Sequence, residues 1–183
     1  MHSFLRRSLL YVPSWDLHKI NKAIKSSADT LIFDVEDGVP RSLKDQARNF
    51  IKDNIGAIAG RGELAIRVNW GDSSQIDNDL KFVNSMKKSL DSIVWPKVHS
   101  AHDARSIKEF TTGMDIHSLL TIESAAGLMN LERILEECPD ASSLIVLILD
   151  LMHLVWSRRL LCVNGNREEQ DGYRASLCTK QDC

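Results

Sequence analysis

Six short apolar runs rich in β-branched residues recur along the chain, and segments with helical spacing lie between them. The runs are Leu9 to Val12, Thr30 to Val35, Leu64 to Asn69, Ile93 to Val98, Leu119 to Ile122 and Leu144 to Leu149. Pro13 breaks the first, Pro96 marks the end of the fourth, and Asp16 is placed to cap a helix through Ile20, Ala23 and Ile24. Further helices are predicted from Ser42 through Ala47, Phe50 and Ile51, from Asp77 to Lys88, around Asp103 to Phe110 and from Leu128 to Leu135. A chain that alternates in this way builds right-handed βαβ units and a parallel sheet covered by helices.

The charged and amide side chains interrupting the apolar pattern fall at one end of the predicted strands. Glu36, Asp37, Arg67, Asn69, Lys97 and Glu123 each sit at or just after a strand's carboxyl end, the face on which a (β/α) barrel carries its chemistry. An open doubly wound sheet is the second architecture, disfavoured because no Gly-rich phosphate loop follows the first strand. The stretch Leu119 to Gly127 condenses the pattern: a buried strand stops at Glu123, and small residues then let substrate or backbone come close.

Composition narrows the function classes. Acids (25) slightly outnumber bases (23) and no basic block with interleaved aromatics occurs, so nucleic acid is not an expected partner. The longest apolar run, Leu144 to Leu149, is too short to span a bilayer. Met1 to Arg7 holds an Arg pair without the length of a signal or transit peptide. Cys162, Cys178 and Cys183 match no zinc or redox spacing, which points to a reducing compartment.

Five motifs in register then carry a resemblance. Arg7-Ser8-Leu9-Leu10-Tyr11-Val12-Pro13, Phe33-Asp34-Val35-Glu36-Asp37-Gly38-Val39, Arg67-Val68-Asn69, Pro96-Lys97-Val98 and Ile122-Glu123-Ser124-Ala125-Ala126-Gly127 resemble the successive strand-end motifs of the HpcH/HpaI aldolase/citrate lyase family, nearest in wording to its mitochondrial citramalyl-CoA lyase branch. The resemblance runs from Arg7 to about Asp150. It implies a (β/α)8 TIM barrel, of which this chain has about the first six βα units, as residues 1–150, followed by an irregular tail, 151–183. It further implies a homotrimer, a mitochondrial or otherwise cytoplasmic location, and Mg²⁺-dependent carbon–carbon bond cleavage beside an acyl-CoA thioester of citramalyl, malyl or citryl type. Glu123 matches a metal ligand and Arg67 a substrate-binding arginine. Tyr11 matches a contact to the CoA-bearing substrate; where a basic residue is expected beyond it, His18 stands with Lys19 adjacent. Glu36 and Asp37 are expected near the metal or its water, and Lys97 beside the substrate.

Elementary chemistry agrees with those residue types. Cleaving a C–C bond next to a carbonyl leaves an enolate, which needs positive charge where the negative charge develops. A hard cation takes carboxylate oxygens, and a guanidinium offers a planar two-donor fork. The structural alternatives are a solvated, helix-capping turn for Asp34, Glu36 and Asp37, and a bridge from Arg67 to Glu36 or Glu123. His99, His102 and His117 read as loop histidines, and Trp95 as packing.

Beyond the sixth strand the pattern stops. The family continues into Gly-x-Glu-Asp, whose Asp is a second metal ligand; His153 to Cys183 shows neither that motif nor helical or strand periodicity, and Asp150 is not a substitute. Shifted by one nucleotide, Trp156 to Asn166 can encode Gly-Ala-Glu-Asp-Phe-Cys-Ala-Ser-Met-Gly-Ile, and Tyr173 to Cys183 can encode Thr-Glu-Leu-Leu-Tyr-Val-Arg-Ser-Lys-Ile-Val. An out-of-frame tail is therefore expected, and with it little or no lyase activity in the chain as written.

Overall fold

The computed structural model describes residues 4–58, 62–72, 74–139 and 143–146. The expectations for residues 151–183, for Asp150 and for the end of the sixth strand lie outside them. Six parallel strands stand in chain order, β1-β2-β3-β4-β5-β6, curled as the first six units of a barrel. They are β1 (Leu9–Pro13), β2 (Thr30–Asp34), β3 (Glu63–Arg67), β4 (Ser92–Trp95), β5 (His117–Ile122) and β6 (Ser143–Val146). The helices are α1 (Leu17–Ile24), α2 (Lys44–Ile58), α3 (Ile76–Met86), α4 (Ala101–Thr111), α5 (Ala125–Met129) and α6 (Leu131–Glu137), with a 3₁₀ turn, Arg41–Leu43, ahead of α2.

β2, β4 and β5 are buried along their whole length, as strands covered on both faces must be. Alternate residues divide between two cores. Phe33, Ile66, Ile93, Trp95, Leu120 and Ile122 meet the helices, while Ile32, Ala65, Val94 and Leu119 face inward with Leu9, Tyr11 and Ile145 beside them. Trp95 is packing, as expected: it is fully buried and meets Trp70 and Phe110 edge to face, at centroid distances of 5.2 and 5.9 Å.

Several local expectations change. Pro13 belongs to β1, paired in register with Asp34, because an edge strand tolerates a missing N–H. Asp16 does cap α1, accepting from Lys19 N at 3.1 Å. The single helix expected from Leu128 begins earlier, at Ala125, and divides at Asn130, whose side chain donates to the His99 carbonyl at 2.9 Å. His117 is no loop histidine; it opens β5, is buried, and meets Phe4 edge to face at 5.4 Å. Among the described residues no helix is long and apolar enough to cross a membrane.

The amino ends of the strands are closed by a polar network that the sequence patterns did not single out. The Glu63 carboxylate, 2% exposed, takes the Arg6 fork (Nε at 2.7 Å, Nη2 at 2.6 Å), the Thr30 hydroxyl at 2.7 Å and the Ser92 hydroxyl. Burial works against the Glu63 charge, but hydrogen bonds from Arg6, Ser92 and Thr30 outweigh it and hold the carboxyl below the usual glutamate range. Arg6→Met leaves that carboxylate buried without its cation, and unfolding in urea should show a loss of about 3–5 kcal/mol. The stabilisation due to Glu63 should be complete above its ordinary pKa and disappear as pH falls through the depressed value, so Glu63→Gln should flatten the acid limb of the stability profile. Parent-like stability in Arg6→Met would exclude this role for the network.

Candidate active site at the carboxyl ends of the strands

The opposite face is organised by two inward side chains on adjacent strands. Register pairs Asp34 with Arg67, so both point to the same side of the sheet. Asp34, 2% exposed, accepts Arg67 Nε at 2.9 Å on Oδ1 and Nη2 at 2.6 Å on Oδ2. The same oxygens accept the amides of Glu36 and Gly38, each at 2.8 Å, which folds the chain after β2 into a tight turn. Gly38 is required there: a Cβ would lie 2.3 Å from Asp34 Oδ2.

That turn presents Glu36 and Asp37 to Lys97. The Lys97 ammonium bonds Glu36 Oε1 and lies 3.2 Å from Asp37 Oδ2, while Glu36 Oε2 lies 3.3 Å from Arg67 Nη1. Lys97 holds a left-handed backbone, φ +54°, immediately after buried Pro96, a strained conformation for a side-chain-bearing residue. Burial pulls its pKa down, but Glu36 and then Asp37 raise it above the ordinary lysine value. Arg67 stacks over the Tyr11 ring at 4.9 Å. Burial opposes its charge too, and Asp34 and Glu36 more than compensate. The Tyr11 phenol is raised by burial, with Arg67 acting the other way and Asp34 and Glu123 adding to the rise.

Glu123 follows β5 as expected, with Oε1 buried. Ser124 caps α5 by accepting Gly127 N at 3.0 Å and bonds His99 Nδ1 at 2.7 Å, so His99 ties the loop after β4 to the loop after β5. Buried carboxylate oxygens suit a hard cation, and Glu36 Oε2 has no hydrogen bond among the described residues, only the Arg67 ion pair. Yet no group of three Asp, Glu, His or Cys able to hold a metal occurs among the described residues.

The structure thus brings Tyr11, Glu36, Asp37, Arg67 and Lys97 together. Lys19 stands apart on α1, exposed and 3.4 Å from Asp16, but it lines a cavity of about 560 Å³ along β1 that Tyr11 shares. Lys22 and Lys25 line the same cavity, and the sequence reading passed over both. Of the two bridge partners expected for Arg67, Glu36 does approach it, at 3.3 Å, but the two-donor partner is Asp34, which the sequence pattern did not single out. The available signal was parity: Asp34 shares the inward phase of Thr30 and Ile32, whereas a solvated turn would not.

Comparison with known proteins bears on the family and the fold. The model of the HpcH/HpaI aldolase/citrate lyase family matches residues 7–158. The chain is 33% identical over 136 residues to the citrate lyase subunit beta of Leuconostoc mesenteroides subsp. cremoris, covering 69% of this chain and 44% of that protein. It is 29% identical over 159 residues to human mitochondrial citramalyl-CoA lyase, covering 81% and 47%. It spans about half the length of these curated relatives. The crystal structure of CitE from Mycobacterium tuberculosis with magnesium and acetate shares the fold, with TM-score 0.62 and 22% identity over 79% of this chain and 57% of that one.

Removing Asp34 tests the frame of the site. Asp34→Ala leaves the half-buried Arg67 guanidinium without its fork partner and frees the Glu36 and Gly38 amides, so urea unfolding should show a loss of about 3–5 kcal/mol. A change within about 0.5 kcal/mol, the range of ordinary surface substitutions, would mean that Arg67 is held by something else.

Proposed function

The chain belongs to the HpcH/HpaI aldolase/citrate lyase family, and we propose that its site is that of a lyase cleaving a carbon–carbon bond beside a CoA thioester of citramalyl, malyl or citryl type. The observation that carries this reading is Arg67, its plane fixed by Asp34 and Tyr11 and its Nη1 edge turned toward Glu36. In that orientation it clamps a carboxylate or carbonyl oxygen and stabilises charge as the enolate forms. Lys97 holds Glu36 and Asp37 in place. The lysines beside Tyr11 give the phosphates of a CoA ester a basic lining. We assign Mg²⁺ to this site on the strength of the relatives, with Glu123 as the carboxylate this chain offers; the ion supplies Lewis-acid charge when bound. A mitochondrial location and a trimer are proposed on the same footing.

A second reading is favoured by the tail, where the shifted frame recovers Gly-Ala-Glu-Asp. In that reading the 183-residue chain is a non-catalytic product that assembles with, or competes against, full-length barrels. β1 and β6 end the described sheet, and such strand edges invite pairing.

One assay separates the two readings. Purified chain is mixed with citramalyl-, malyl- or citryl-CoA and Mg²⁺, and release of acetyl-CoA with pyruvate, glyoxylate or oxaloacetate is followed. On the lyase reading, Arg67→Lys should lower kcat/KM by about 10²–10³-fold, since a point charge cannot hold both Asp34 oxygens and still present a donor to substrate, and Glu123→Ala should raise the Mg²⁺ concentration that turnover requires. No turnover, together with co-purification with a full-length subunit and recovery of turnover on restoring the frame, selects the second reading. Turnover unchanged in Arg67→Lys overturns the assignment of the site.

A further inference from the structure

Behind the turn that carries Glu36 lies a buried ammonium that the proposed chemistry does not use. Lys44, the first residue of α2, is 8% exposed. Its Nζ donates to the carbonyls of Val35 and Glu36, each at 3.0 Å, and to Asn69 Oδ1. All three partners are acceptors, so the group is the ammonium with each of its three hydrogens placed. Burial lowers its pKa, with Asp79, Glu36, Asp34 and Asp37 acting the other way.

The acceptors are themselves fixed. Asn69 gives its backbone N–H and its side-chain amide to Asp79 Oδ2, at 2.6 and 2.7 Å, and the same amide to the Val35 carbonyl at 2.8 Å. Asp79, fully buried, accepts Arg48 on its other oxygen, and Arg48 also reaches Asp45 and Gln75. The Val35 carbonyl therefore receives two side-chain donors, and the Glu36 carbonyl receives Lys44 beside the Val39 amide of its own turn, at the point where β2 has ended and its ladder no longer satisfies them. A lysine serving only as a structural ion-pair partner would contact a carboxylate such as Asp79. Lys44 instead spends its hydrogens on the backbone from which Glu36 projects toward Lys97 and Arg67.

We infer that Lys44 is a positioning residue: it pins the Val35–Glu36 backbone from behind, through a chain running Arg48, Asp79, Asn69, Lys44, and so sets where the Glu36 carboxylate stands between Lys97 and Arg67. What Glu36 is positioned for rests on the lyase reading; the pinning itself does not.

The test is read without turnover. Lys44→Met is compared with Ile51→Ala, a fully buried core residue on the same helix, by amide hydrogen exchange and by acetylation of Lys97 relative to Lys88. In Lys44→Met, protection of the Glu36, Gly38 and Val39 amides should fall about 10-fold more than that of the β4 and β5 amides, and Lys97 should acetylate faster as Glu36 lets it go. Ile51→Ala should loosen α2 without singling out that turn or changing Lys97. If Lys44→Met does not fold, Asn69→Ser removes the third acceptor and the Val35 donor together and should show the same local loss, smaller in size. Equal protection loss at the turn and in β4 and β5, with Lys97 unchanged, overturns the inference whatever the turnover result. A local loss in a chain that turns over no CoA ester leaves it standing and counts only against the lyase reading.

Discussion

The carboxyl face depends on one cross-strand pair, Asp34 with Arg67. A guanidinium facing the interior of a sheet is costly unless a carboxylate meets it with good geometry, and Asp34 meets it with both oxygens. Each of those oxygens also accepts a backbone amide from the following turn. The pair that makes Arg67 tolerable therefore shapes the segment carrying Glu36 and Asp37. Lys97, Tyr11 and Glu36 are then placed by reference to Arg67 or to that turn, so the pair couples β1, β2, β3 and the loop after β4 in a single arrangement.

A second ionic pair, Arg6 with Glu63, closes the amino ends. Between the two lies the inward apolar layer of Ile32, Ala65, Val94 and Leu119. Polar contacts at both ends and hydrocarbon between them let the strands carry charge inside the curl without leaving it unpaired. The arrangement also divides labour: the Glu63 end has three partner side chains, Arg6, Thr30 and Ser92, and holds the fold, while at the Arg67 end Glu36 Oε2 is buried with only the ion pair to Arg67 and no hydrogen bond among the described residues.

Much of the architecture was legible because burial on both faces writes a continuous apolar run for β2, β4 and β5, and because polar residues interrupt those runs only at their ends. The residues gathered at the strand ends, Glu36, Asp37 and Lys97, were legible for the same reason. Those that hold them were not. Asp34 looked like one more acid in an acidic turn; its role depends on which residue of β3 stands opposite, a fact of register that local spacing does not contain. Lys44 carries no local sign of its role, because its three acceptors come from residues 8, 9 and 25 positions away. His117 was misjudged because a histidine opening a strand has no local signal that distinguishes it from one ending a loop. The division of the helix at Asn130 depends on the distant His99 carbonyl.

Charge at the mouth bears on which ligands it accepts. Asp34, Glu36, Asp37 and Glu123 stand around Arg67 and Lys97, and Asp72 and Asp103 line the same mouth with Arg41 and Lys44, so carboxylates outnumber cations there. An anionic ester entering this mouth meets net repulsion unless positive charge is supplied from elsewhere. On the proposed reading two sources are available. A divalent cation at Glu123 would offset that excess at the reacting end, and Lys19, Lys22 and Lys25 line the β1 cavity where a CoA phosphate would lie. Tyr11 belongs to both regions, stacked on Arg67 at one side and lining that cavity at the other. On that reading Tyr11 would lie along the path of a long thioester from its phosphates to the bond that breaks, the two ends met by separate sets of cations rather than by one basic patch.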